Sequence, residues 1–158
     1  MSEIILAFGL ITMFTMITNG MVIYKQDNLM TLDKMGIEIG KRCPEQVLEY
    51  LNGKKFNLSE ISGKIIFVEE DCVTCQVLVE TINVSGRKDD DMITILVGKK
   101  ENAVRFVQKY PAWNKVSFFE REELYSMLNI SAFPFYMDLN NGIVEEKGAA
   151  SAGKVLKD

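Results

Sequence analysis

The sequence predicts an α/β domain in which a central mixed sheet carries helices on both faces, preceded by an N-terminal transmembrane helix. Three observations lead there: an uncharged apolar run at residues 4–24, an alternation of short apolar runs with helical-period segments from Lys64 onward, and a closing pair of apolar runs joined by Asn141-Gly142. The 158 residues suit one domain plus an anchor, and with 47% hydrophobic and 25% charged residues the chain is too apolar to be disordered. Its net charge of −4 argues against a general nucleic-acid binder. There is no histidine, and the three cysteines are Cys43, Cys72 and Cys75. These counts exclude histidine general-base catalysis and nearly all histidine-ligated metal sites, and they fall one cysteine short of a four-cysteine zinc site. No cofactor and no metal are expected.

Ile4 to Tyr24 reads IILAFGLITMFTMITNGMVIY. As a helix it spans roughly 31 Å, the thickness of a bilayer core. Tyr24 and Lys25 stand where an interfacial aromatic and a snorkelling cation belong. Three roles compete for the run: a retained signal anchor, a cleaved signal peptide and a buried core helix. No Lys or Arg precedes it and no A-x-A site follows it, unlike a cleaved leader. Thr12, Thr15, Thr18 and Asn19 dilute the run, but a helix can satisfy hydroxyls on its own carbonyls, and a run hydrophobic all round also suits a buried core helix. Lys25, Asp27, Asp33 and Lys34 cancel, so charge bias does not orient the span. The expected organisation is an anchor at 1–24, a polar tether at 25–35 and the folded domain at 36–158.

Glu45 to Leu51, a short buried turn or strand, and Lys55 to Leu58, which alternates like a strand, flank Asn52-Gly53, a hairpin signal, and make a small strand pair. Ser62-Gly63 is a turn. Lys64 to Val68 is a strand apolar on both faces, as a buried parallel strand requires. Cys72 to Val84 follows with Val73, Val77, Leu78, Thr81 and Ile82 at near-helical spacing. Gly86 to Asp91 is a charged loop, and Met92 to Val97 a second buried strand. Glu101 to Tyr110 is a helix with Ala103, Val104, Val107 and Tyr110 on one face. Val116 to Phe119 is a strand, and Glu120 to Asn129 a helix with an acidic first turn. Phe135 to Leu139 and Ile143 to Lys147 close the chain as a hairpin.

The chemistry concentrates at Cys72-Val73-Thr74-Cys75, which follows a buried strand and opens a helix. A helix N-terminus supplies unpaired N–H groups and the positive end of the dipole, and both stabilise a thiolate. Cys72 is therefore expected to attack, and Cys75, one turn deeper, to resolve the mixed disulfide. A lone C-x-x-C can also be half a zinc site or a chance spacing; no second pair completes the former. Glu69, Glu70 and Asp71 immediately precede Cys72 and oppose the dipole. One of them, Glu70, is a candidate to shuttle a proton to Cys75. Trp113 is expected to pack, and Cys43 to be a small buried hydrophobe.

Two segments resemble the thioredoxin superfamily. IIFVEEDCVTCQ (Ile65 to Gln76) looks like its first strand and active-site helix, and NISAFPFYMDLNNGIVEEKGAAS (Asn129 to Ser151) looks like its cis-proline segment. The preamble Gly40 to Glu45 with Leu51 to Leu58 is similar to membrane-tethered, extracytoplasmic members of the TlpA, ResA and MauD kind. The resemblance implies a thioredoxin-like fold over residues 36–158. It implies that Pro134 is cis and lies against the cysteine pair, and that Phe133 offers its backbone to an extended substrate. There is no histidine or proline between the cysteines, and Asp71 stands where a Trp is common. The expected function is a single-pass, membrane-anchored thiol–disulfide oxidoreductase facing outside the cytoplasm. It would act on protein or peptide thiols and disulfides at moderate or reducing potential, with a membrane-bound redox partner and no nucleic acid. The alternative is a non-catalytic binding or chaperone module with a static disulfide.

Overall fold

Ile65 to Val68, apolar without alternation, becomes the middle of the molecule's main sheet. The computed structural model describes residues 34–86 and 92–156. The expected anchor at 4–24 and nearly all of the tether lie outside the described residues. Among the described residues, no helix is long and apolar enough to cross a membrane.

The strand containing that run, β3 (Gly63–Glu69), is flanked by β4 (Ile93–Val97), parallel to it, and β6 (Phe135–Asn140), antiparallel. β5 (Val116–Phe119) lies parallel outside β4, and β7 (Ile143–Ala149) antiparallel outside β6. The sheet is therefore mixed, in the order β5-β4-β3-β6-β7. β1 (Val47–Glu49) and β2 (Lys55–Asn57) pair separately through a turn at Gly53, with Tyr50 stacked on Phe56. Leu51 N–H donates to Val116 O and the Ser117 hydroxyl to Glu49 O, which fastens this pair to the β5 edge.

Two parallel crossovers running the same way across the sheet must share a hand, so α1 (Val73–Ser85) and α2 (Lys100–Lys109) cover one face. Leu78, Val79 and Ile82 of α1 and Ala103 of α2 meet Ile66, Val68, Leu96 and Tyr136 there. Strand alternation turns Ile65, Phe67, Phe135 and Met137 the other way, and these too are fully buried. α3 (Arg121–Leu128) buries Leu124 and Leu128 outside the first cluster, as a helix on the second face does. The last helix, α4 (Ala152–Val155), is a single turn whose Val155 packs with α1.

Three details depart from the sequence expectation. The buried stripe of α1 is Cys75, Leu78, Val79 and Ile82, whereas Val73 is 73% exposed and Val77 61%. With valines on every side of the helix, periodicity could not choose the inner face. Val104 of α2 is likewise exposed, and Phe106 packs in the core cluster instead. Met35, assigned to the tether, is buried in the domain, and Gly36 N–H donates to Asn129 O.

The chain from Gly40 to Cys43 runs along the outer edge of β7. Gly40 N–H donates to Val144 O, Val144 N–H to Lys41 O and Cys43 N–H to Gly142 O. This covers backbone groups that an open edge would leave free to pair with another chain. The β6–β7 turn has Asn141 at φ +50° and Gly142 at φ +75°, the left-handed pair of a type I′ hairpin. Arg42 donates to Asn141 O and Ser59 O, and Gly142 N–H donates to Ile61 O. A Cβ at Gly142 would run into the backbone carbonyl of Ser59. Gly142→Ala is therefore expected to cost at least about 2 kcal/mol, since left-handed strain and a backbone clash combine. Urea unfolding of the variant against the parent measures it.

Candidate active site

The carboxyl end of β3 runs through Glu69, Glu70 and Asp71 into the first turn of α1. Cys72 is the residue that caps this helix, not its first helical residue as the spacing suggested. Its backbone is extended (φ −88°, ψ 109°), and its sulfur accepts the Cys75 N–H at 3.2 Å. A capping side chain normally supplies oxygen to such an orphan donor; here a sulfur takes that place. Cys72 N–H donates to Glu69 O at 3.3 Å, and its thiol lies 3.6 Å from the Phe133 carbonyl. Cys72 is half-buried and Cys75 only 1% exposed. The first sulfur is reachable, and the second sits behind it.

The Phe133–Pro134 peptide bond is cis and leads directly into β6. β6 neighbours β3, and this adjacency brings Phe133, 61 positions on, to the Cys72 sulfur. Pro134 is buried and its carbonyl accepts the Ala150 N–H at 3.0 Å, while Phe133 keeps part of its surface open.

Two of the three carboxylates before Cys72 are paired with arginines. Glu70 is held by Arg105 of α2 through two hydrogen bonds, of 3.1 and 2.8 Å, and Glu69 forms an ion pair with Arg121 of α3. The opposition to the helix dipole expected from the sequence is thus offset at two of three positions. Neither arginine was singled out in the sequence. The available signal was positional, because both follow strands whose carboxyl ends line up with that of β3, where open α/β sheets gather their sites.

A cavity of about 350 Å³ lies between α1 and α2. Val68, Val79, Leu96 and Phe106 form apolar walls, and Cys75, Glu70 and Arg105 also line it. Glu70 thus faces the same space as Cys75, but its carboxylate is bonded to Arg105, not to the thiol. Burial pushes the Cys75 thiol well above its usual range, and the hydrogen bond with Cys72 pushes it further. Cys43 is buried by the β6–β7 turn, and burial pushes its thiol up to about 11. Trp113 stands edge-on to Phe106 at 5.4 Å, a packing contact. Among the described residues, no group of three or more acidic or cysteine side chains could hold a metal.

No protein-family model matches the chain, and no curated protein matches it in sequence. Several solved structures are similar. A thio-disulfide isomerase from Thermus thermophilus superposes with a TM-score of 0.58 at 15% identity, over 75% of this chain and 90% of that one. A thiol:disulfide interchange protein from Bacteroides sp. gives 0.57 at 13%, over 77% and 88%. StoA from Bacillus subtilis gives 0.52 at 16%, over 69% and 91%. At these identities the likeness is one of fold, and the fold is thioredoxin-like.

Two outcomes follow from the thiols. Cys72→Ala is expected to be less stable than Cys72→Ser by about 1 kcal/mol, because serine can still cap α1; thermal melts of the two reduced variants compare them. The Cys43 thiol, raised from 9.0 to about 11 in the folded chain, favours folding fully below pH 9, and that contribution is lost as pH rises through 11. Denaturant titrations across this window are expected to show a fall in stability that Cys43→Ala reduces.

Proposed function

We propose that the chain is a thiol–disulfide oxidoreductase acting on cysteines of proteins or peptides. The observation that carries this reading is the position of Cys72, a reachable sulfur at the α1 N-terminus with a buried second thiol behind it and the Phe133 carbonyl in front. Amide N–H groups and the dipole favour negative charge on a sulfur placed there.

The chemistry is an exchange of disulfide bonds. The Cys72 thiolate attacks one sulfur of a client disulfide, the client S–S bond breaks, and one client thiolate leaves. Cys75 then gives up its proton and attacks the Cys72 sulfur, which frees the second client thiol and leaves a Cys72–Cys75 disulfide. Two electrons pass to the client, and a dithiol partner at the membrane returns the pair to its reduced form. Cys75 is the step that needs help, because burial holds its proton. Glu70 is the proposed acceptor, reached through water in the cavity that both residues line. Phe133 and Pro134 shape the groove in which an extended client lies beside Cys72. The proposed couple is moderate or reducing, and the arginine pairs at Glu69 and Glu70 support the moderate side of that range. The apolar run at residues 4–24 supports a single membrane span, with the folded domain outside the cytoplasm, where exchange among exported proteins takes place.

Cys72→Ser is expected to abolish turnover of an insulin-type substrate, and Cys75→Ser to accumulate a mixed disulfide detectable by mass spectrometry. Full activity in Cys72→Ser would overturn the reading. A Cys72–Cys75 couple well below about −300 mV that does not exchange would point instead to a binding module with a static disulfide. In single-turnover quench experiments, Glu70→Gln is expected to slow the second step about tenfold or more while sparing the first.

A further inference from the structure

We propose that Arg121 is a positioning residue of this site, a clamp that sets the spacing between the two backbone segments holding Cys72. The role in turnover rests on the oxidoreductase reading; the clamp itself rests on geometry. Cys72 is held from two sides. Its N–H donates to Glu69 O, in the segment that leaves β3, and its thiol faces Phe133 O, in the segment that enters β6. Arg121 engages the side chains of those same two residues. Its guanidinium pairs with the Glu69 carboxylate and lies 5.4 Å from the centre of the Phe133 ring.

The placement runs against local preference. Arg121 is the first residue of α3, where a cation meets the positive end of the helix dipole, and Glu120 before it makes no side-chain cap. Glu122 and Glu123 in the same turn follow the usual rule. An unfavourable charge at a helix start is offset here by an anion on one side and an aromatic face on the other. A planar guanidinium can turn its N–H edge to the carboxylate and its face to the ring. Arg105 supplies the contrast, since its hydrogen bonds go to Glu70 and Asn102, away from the two residues that Arg121 bridges.

The test uses the full chain in detergent with Arg121→Gln and Arg121→Lys. The first readout is hydrogen–deuterium exchange. Arg121→Gln is expected to quicken exchange in residues 131–135 by about threefold to tenfold, the combined scale of a surface ion pair and a cation–π contact. Arg121→Lys, which keeps the charge but not the planar face, is expected to keep protection at residues 69–72 and to lose part of it at 131–135. The second readout is kcat/KM for a peptide disulfide, which uses the groove, and for DTNB, which does not. Arg121→Gln is expected to lower the first severalfold and leave the second within about twofold. Unchanged exchange at 131–135 in a folded variant, or equal losses with both disulfides, would overturn the clamp. If Arg121→Gln does not fold, the exchange pattern of Arg121→Lys decides. A parent chain inactive on both disulfides would overturn the oxidoreductase reading, and the exchange comparison would still judge the clamp.

Discussion

The first turn of α1 presents backbone N–H groups that no residue of the helix can accept. One of them, on Cys75, is met by the sulfur of Cys72. Much of the arrangement follows from that contact. The sulfur can cap only because the chain leaving β3 arrives extended at Cys72 and turns at once into the helix. The turn places Cys75 one turn inward, under the core side chains of β3 and β4, where its thiol is hard to ionise. Access and burial are therefore divided between two sulfurs three residues apart, Cys72 reachable and Cys75 enclosed.

The sheet does the rest of the gathering. β3 lies between a parallel neighbour that follows it directly and an antiparallel neighbour from much later in the chain. The end of β3, the start of α3 and the start of β6 consequently converge on one point. That convergence sets Phe133 O against Cys72 and brings Arg121 to Glu69. The acidic approach to the cysteines is then not a free charge cluster. Two of its carboxylates have arginine partners from helices on opposite faces of the sheet, so the local field depends on how those helices are seated.

Elements with a strong local cause were legible before any coordinates. The apolar run of β3, the Asn-Gly turns and the helix after Cys72 depend on neighbours within a few residues, and the structure has them where the pattern puts them. Helix boundaries moved by a residue or so. Spacing alone does not pick out the inner face of α1, because Val73 and Val77 are as apolar as Leu78 and Val79, and only contact with the sheet decides which of them is buried. The 3-10 turn at Leu58–Glu60 had no distinctive signal; Asn57 makes it by accepting the Ser59 N–H.

Three features follow from the chain alone: the alternating α/β order, the pair of cysteines at a strand–helix junction and the proline that opens β6. Each is a statement about residues adjacent in the chain, and local sterics and capping are enough to settle it. Which distant groups share the site is settled by the folded arrangement: Arg105 on Glu70, Arg121 between Glu69 and Phe133, and a cavity behind Cys75. Charge pairing between residues tens of positions apart has no periodicity and no spacing to read, because it is set by strand order and by which face each helix covers.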